Sequence, residues 1–129
     1  MATNIPANLK YTKEHEWTLI EGDTVTVGIT DFAQSALGDI VFVEVPEVGS
    51  DLKIGSTFGV VESIKSVSDL YAPVTGEVVA KNSDVEGSPE KINSDAYGSW
   101  LIKVKVKDLS DLNNLLTPEQ YQEFCNSSH

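Results

Sequence analysis

The stretch GDIVFVEVPEVGSDLKI, residues 38–54, meets a second version of itself as GEVVAKNSDVEGSPEKI, residues 76–92, when the chain is slid by 38 positions. Gly38-Asp39-Ile40-Val41 falls on Gly76-Glu77-Val78-Val79, Gly49-Ser50 on Gly87-Ser88, and Lys53-Ile54 on Lys91-Ile92, with no gap. Two copies are too few for a solenoid, which needs about three. A pair of strand-rich halves points instead to two sheets related by a pseudo-twofold and packed face to face, as a sandwich or flattened barrel. Glycine and valine are common in any β protein, so chance similarity is the competing explanation.

Outward from the repeat, β signals dominate the middle of the chain. Val, Ile, Thr and Phe alternate with polar residues and Gly or Pro punctuates them, which predicts strands over 24–29, 40–45, 58–63, 77–81 and 100–106. In WLIKVKV, the spacing places Trp100, Ile102, Val104 and Val106 on a core face and Leu101, Lys103 and Lys105 on the other. Asp31 followed by Gln34 has the pattern of a capping box, with Gly38 at the C-cap, so a helix of about two turns is expected there. Pro46 and Pro73 read as turn punctuation. Near the C-terminus the period changes to helical, with Leu109, Leu112, Leu115 and Leu116, and Thr117-Pro118-Glu119-Gln120 restarts a helix. Tyr121, Phe124 and Cys125 form its buried stripe, and residues 126–129 are expected to fray. The expectation is one domain over 1–129, with a core at about 17–106 and a C-terminal helical segment at about 108–125.

Composition narrows the function. The 129 residues hold 20 acids against nine lysines and no arginine, a net charge of −11. Such a chain is repelled by phosphate backbones and finds no grip on anionic lipid, so nucleic acid and membrane surfaces are not expected partners. Apolar runs such as 40–43 fall far short of the roughly 20 residues of a spanning helix. The single Cys125 closes no internal disulfide, and the N-terminus has neither a basic segment followed by an apolar one nor the arginines of a transit peptide. An unprocessed cytoplasmic chain is the expectation. His15, His129 and Cys125 have no zinc-pair spacing, no glycine-rich phosphate loop opens a helix, and Ser, His and acid follow no recognisable catalytic order. Trp17 and Trp100 are expected in the core.

Between the halves, Val60, Glu62 and Ile64 alternate against Val61 and Ser63, and the apolar pattern resumes from Val67 to Tyr71. Residues 63–66 are therefore the expected hairpin tip, with Lys65 at its centre. On the residues alone, a lysine at a hairpin tip is simply a solvated cation.

The segment VESIKSVSDLYAPVTGEV, residues 61–78, resembles the lipoylation segment of the glycine cleavage system H proteins, in which an ESVK-type turn carries the lipoyl group. The resemblance extends to LKYTKEHEW (9–17), VGITDFAQSALGDIVFVEVPEVG (27–49) and INSDAYGSWLIKVK (92–105), nearly the whole chain in order. Ile64 and Ser66 replace the commoner valine and alanine beside the lysine, and Phe32 and Ala36 stand where relatives often carry histidine or other polar residues. The last change puts in doubt any part for that helix in holding an arm.

The resemblance implies an all-β-dominated, lipoyl-domain-like barrel-sandwich hybrid of two quasi-symmetric sheets with short flanking helices. It implies lipoate held as N6-lipoyl-lysine on Lys65, and a carrier that catalyses nothing itself. The arm would accept an aminomethyl group from glycine decarboxylase (P-protein), present it to the tetrahydrofolate-dependent aminomethyltransferase (T-protein), and be reoxidised by dihydrolipoamide dehydrogenase (L-protein). Glu62 and Ser63 are candidates for what the lipoyl- or octanoyl-attaching enzyme reads. Carboxylates and exclusion of water would protect a cationic head, and Glu16 and Asp69, with Glu14 behind them, are the candidate pocket, set against the plainer reading of ordinary surface acids. Open alternatives are a relay of lipoyl groups to 2-oxo acid dehydrogenases and an unmodified binding protein. A lipoyl domain of those dehydrogenases would show a DKA turn, and a biotinyl carrier methionines beside its lysine, whereas the one methionine here is Met1.

Overall fold

A computed structural model describes residues 5–127. In chain order these form β1 (Lys10–Tyr11), β2 (Glu16–Glu21), β3 (Thr24–Ile29), α1 (Asp31–Leu37), β4 (Ile40–Glu44), β5 (Asp51–Leu52), β6 (Thr57–Ser63), β7 (Val67–Tyr71), β8 (Gly76–Lys81), α2 (Ser83–Gly87), α3 (Lys91–Ser94), β9 (Ile102–Val106), a 3-10 helix (Leu109–Asn114) and α4 (Pro118–Ser127). The strands make two antiparallel sheets, one of six in the order β1-β2-β3-β9-β8-β5 and one of three in the order β4-β6-β7.

Alternation explains how the sheets meet. Val25 and Val27 of β3, Val78 of β8 and Ile102, Val104 and Val106 of β9 point inward from the larger sheet. Val43, Val61 and Leu70 do so from the smaller one, and together they form one buried cluster. Ile102 and Val104 are fully buried while Lys105 between two core positions is exposed, the period of two expected for WLIKVKV. The strand starts two residues later than the expectation, however. Leu101 is buried and Trp100 only half-buried, because the chain enters β9 from a loop whose Leu101 N–H donates to the Val27 carbonyl at 2.8 Å. Trp100 instead lies under the Lys103 ammonium, 5.1 Å from the ring centre.

The 38-residue offset is visible in the strands. β4 pairs Ile40 with Ser63 and Phe42 with Glu62, leaving Val41 as an extra residue, and β8 pairs Val78 with Val104 and Ala80 with Lys103, leaving Val79 as an extra residue. The offset places one bulge on the other. Beyond that the copies part: Lys53-Ile54 forms an exposed turn, whereas Lys91-Ile92 opens α3 with Ile92 buried. The sheets are unequal: the larger takes β1, β2, β3 and β9 from chain outside the repeat, and β5 of the first copy pairs with β8 of the second.

Local signals place the helices with one correction. The N-cap of α1 is Thr30, whose hydroxyl accepts from Ala33 N–H at 3.1 Å, and Asp31 is the first helical residue, held by Gln34 Nε2 at 2.8 Å. Gly38 is the C-cap as expected, at φ 82°. The Thr117/Gln120 capping box forms, with reciprocal bonds of 2.9 and 3.1 Å. Tyr121 and Cys125 are buried and Phe124 half-buried, over a second cluster with Leu9, Tyr11 and Trp17. Tyr121 stacks on Tyr11 at 4.6 Å and its hydroxyl lies 2.7 Å from that of Thr30, which ties α4 to the start of α1. Leu109 and Leu112 lie in the 3-10 helix, with Leu109 exposed, while Leu115 caps it and Leu116 bridges to Tyr11. Fraying was expected from Asn126, yet α4 continues through Ser127, and residues 128–129 lie outside the described chain.

Candidate functional site

The β6–β7 hairpin turns over residues 63–66, and Lys65 sits at its tip. Glu62 pairs with Val67, and Ser63 N–H donates to the Ser66 carbonyl at 2.8 Å. The reciprocal backbone bond is replaced by a side chain: the Ser63 hydroxyl accepts from the N–H groups of Lys65 and Ser66 at 3.3 and 3.2 Å. A serine that binds its own downstream backbone is a local turn device. Ser63 is consequently buried, at 9% exposure, while Ile64, Lys65, Ser66 and Val67 are exposed and Glu62 is half-buried.

Outside contacts fix the tip. Ile64 N–H donates to the Asp39 carbonyl at 3.1 Å, and the Lys65 stem passes Gly38 so closely that a Cβ there would stand 3.5 Å from Lys65 Cε. Gly38 is itself held by Asn93 of α3, whose Nδ2 donates to the Gly38 carbonyl at 2.8 Å and to Gln34 Oε1 at 3.0 Å. Asn93 Oδ1 accepts from Ile40 N–H at 2.8 Å, so one amide joins α1, α3 and β4 below the lysine. A flexible amine thus stands on a fixed base, the arrangement that a swinging covalent arm requires.

The carboxylate candidates divide. Glu16, at the start of β2, is 1% exposed; its Oε1 accepts from the Thr12 hydroxyl at 2.6 Å and its Oε2 from Tyr71 N–H at 3.0 Å. Burial pushes its pKa up from 4.5 to about 7, against the lowering effect of those two hydrogen bonds and with a smaller push from Glu14. The loop before it folds back at His15, with φ 68°, and His15 Nδ1 lies 2.8 Å from the Tyr121 hydroxyl. Glu14, Glu16, Thr12 and Tyr71 line a cavity of about 240 Å³ together with apolar residues including Ile54, Pro73 and Leu115. Asp69 is not among the lining residues. It is exposed on β7 two residues before Tyr71, on the same side of the strand, and so stands between the cavity and the tip.

Thr12, Tyr71 and Asn93 were not among the sequence candidates. Tyr71 and Asn93 act across more than fifty residues, a kind of contact without a local signature, whereas the Thr12 hydroxyl serves Glu16 four residues on. Among the described residues, no group of three or more His, Cys, Asp and Glu could hold a metal, and no helix is long and apolar enough to cross a membrane. His129 lies outside the described chain.

Comparison with known proteins agrees over almost the whole chain. The family described as "Glycine cleavage H-protein" matches residues 9–128. A glycine cleavage system H protein of Anoxybacillus flavithermus is 54% identical over 124 residues, 95% of this chain and 98% of that one. Its counterpart in Staphylococcus haemolyticus is 55% identical over 120 residues, 92% and 95% of the two chains. The crystal structure of a glycine cleavage system H protein from Mycobacterium marinum superposes with a TM-score of 0.88 at 42% identity, covering 95% of this chain and 99% of that one.

Proposed function

The chain belongs to the glycine cleavage H-protein family, a lipoyl-bearing shuttle of the glycine cleavage system, and from that premise we propose that Lys65 is the residue that carries the lipoyl group, as N6-lipoyl-lysine. One observation carries the assignment: Lys65 is exposed at the apex of a four-residue turn whose backbone is held by Ser63 and Asp39. The residues fit the group. The amine is open to an attaching enzyme, and the chain beneath it cannot follow the arm's motion. When bound, the group would supply a dithiolane able to carry an aminomethyl unit from the P-protein to the tetrahydrofolate-dependent T-protein and to be restored by the L-protein. The chain's own contribution is to carry, orient and shield, without catalysis, as a single domain acting in the cytoplasm.

The shielding falls to the cavity at the far end of β7. From Val67 to Tyr71 the strand rises about 13 Å, so the outward line Val67, Asp69, Tyr71 leads from the tip to Glu16. A cationic head reaching the cavity would meet the Glu16 carboxylate, with Glu14 at the rim and Asp69 on the approach, among apolar walls that exclude water. Because the Glu16 pKa sits near neutrality, an adjacent ammonium would hold it ionised. Glu62, half-exposed beside the tip, offers a charge to the attaching enzyme, whereas buried Ser63 contributes through the shape of the turn.

Intact mass and peptide mapping of protein isolated from lipoate-replete host cells test the assignment. A lipoyl-sized increment on Lys65 is expected, and an unmodified Lys65 would overturn it in favour of a binding protein. Replacing Glu16 and Asp69 together with alanine is expected to shorten the lifetime of the loaded aminomethyl group; an unchanged lifetime would remove the pocket.

A further inference from the structure

The outer face of the three-stranded sheet, directly below Lys65, has an ordered pattern. Three rungs run across β4, β6 and β7, and the middle one, Val43–Val61–Ser68, turns toward the core. The rungs on either side turn outward: Phe42–Glu62–Val67 nearer the tip and Glu44–Val60–Asp69 below it. Read across the strands, the first is apolar, acidic, apolar and the second acidic, apolar, acidic. No two acids face each other directly, and no lysine lies on either rung. Phe42 is 44% and Val67 65% exposed, and Ile64 at the tip is 72% exposed. Single exposed apolar side chains are ordinary, but here they gather around one lysine and alternate with carboxylates.

The attaching enzyme faces a selection problem that this surface answers. The chain has nine lysines, and an ammonium group is the same in each. The choice has to be made on what surrounds the lysine, before any arm exists to be recognised. We propose that the outer face of β4, β6 and β7 is the docking surface for the enzyme that acylates Lys65, engaged by a protein face on which lysine or arginine alternates with aliphatic side chains. Adjacent strands lie about 4.8 Å apart, so Glu44 and Asp69, two strands apart, are separated by about 10 Å. Positions i and i+7 of a helix lie about 10.5 Å apart. A helix crossing the strands would set basic residues at i and i+7 against Glu44 and Asp69, and an aliphatic residue between them over Val60. Arginine suits the task, because its stem covers Phe42 or Val67 while its fork binds a carboxylate.

This inference rests on Lys65 being the acylated residue. It is tested by the rate at which the host's purified lipoyl-attaching enzyme, with its acyl donor, modifies the full-length unmodified chain, read by intact mass. Glu44→Lys with Asp69→Lys, and separately Phe42→Ser with Val67→Ser, are each expected to lower kcat/KM about tenfold or more. Glu21→Lys with Glu119→Lys makes the same change in net charge on exposed sites off this face and is expected to stay within about twofold of the parent chain. If the two charge variants slow equally, long-range attraction accounts for the effect and the docking face is refuted, as it is if neither face variant slows while Lys65 of the parent chain is modified. Acylation that persists in Lys65→Arg would refute the lysine assignment itself, and the docking face with it. Arm docking in the Glu16 cavity does not enter this assay, because attachment precedes it.

Discussion

Replacing Glu16 with glutamine isolates the cost of holding a carboxylate in the interior. Glu16 is 1% exposed and its pKa is raised from 4.5 to about 7, chiefly by burial. A carboxyl whose pKa is raised on folding binds its proton more tightly in the native state. Its stabilising contribution is therefore complete below the unfolded value and disappears as the pH rises through the folded one. A shift of this size corresponds to about 3 kcal/mol, with roughly 2 to 3 kcal/mol of it falling between pH 5 and pH 8. Glutamine keeps the shape and does not titrate, and like the protonated carboxyl it presents one acceptor oxygen and one donor to Tyr71 and Thr12. At pH 5, where Glu16 holds its proton, the two chains should therefore lie within about 1 kcal/mol of each other, the worth of a hydrogen bond. By pH 8 Glu16→Gln should be the more stable. Urea unfolding of both chains from pH 5 to 8 measures this, and the other acids cancel in the difference. Parallel stability curves across that range would refute the reasoning, since they would mean that Glu16 is solvated enough to titrate normally.

Asn93→Ala removes three hydrogen bonds and leaves the Ile40 N–H buried without its acceptor, so a loss of roughly 3 kcal/mol by denaturant unfolding is expected, with faster amide exchange at Ile40. Ser63→Ala removes the acceptor used by Lys65 and Ser66 and is expected to cost about 1 kcal/mol, as their exposed N–H groups turn to water, and to slow acylation of Lys65 in the mass assay. Gly59→Ala would drive a Cβ into the Glu44 carbonyl where β6 passes β4; a loss of more than about 2 kcal/mol is expected from thermal unfolding, and a wild-type transition would contradict the packing described.

What could be read from the chain follows the range of each interaction. The hairpin and its lysine were legible because alternation on both sides of residues 63–66 is a local pattern, and the box at Thr117 and Gln120 because both partners lie within one turn. The N-cap of α1 was misplaced by one residue because Thr30 and Asp31 are both good caps, and the choice between them is made by Tyr121, whose hydroxyl reaches Thr30 across 91 residues. β1 and β5, of two residues each, are too short for any period to show. α2 and α3 replace the loop and turn that the other half of the repeat has at the same offset. Glu16 could be named as a candidate, but its burial depends on Thr12 and on a backbone group 55 residues away, so its raised pKa was beyond any reading of neighbours.

The paired bulges at Val41 and Val79 bear on how the lysine came to its place. A bulge bends its strand and sharpens its twist, and the one in β4 lies just past Gly38, the residue beside which the Lys65 stem runs. It would be natural to regard that bend as an adaptation for the lysine turn. Its counterpart in β8 serves no such turn, yet occupies the same step of the repeat. The curvature is thus a property of the half-unit, used twice, and the turn that holds Lys65 makes secondary use of it. Redesign that straightened β4 to tidy the ladder would leave the Lys65 turn intact in composition while removing the corner on which it stands.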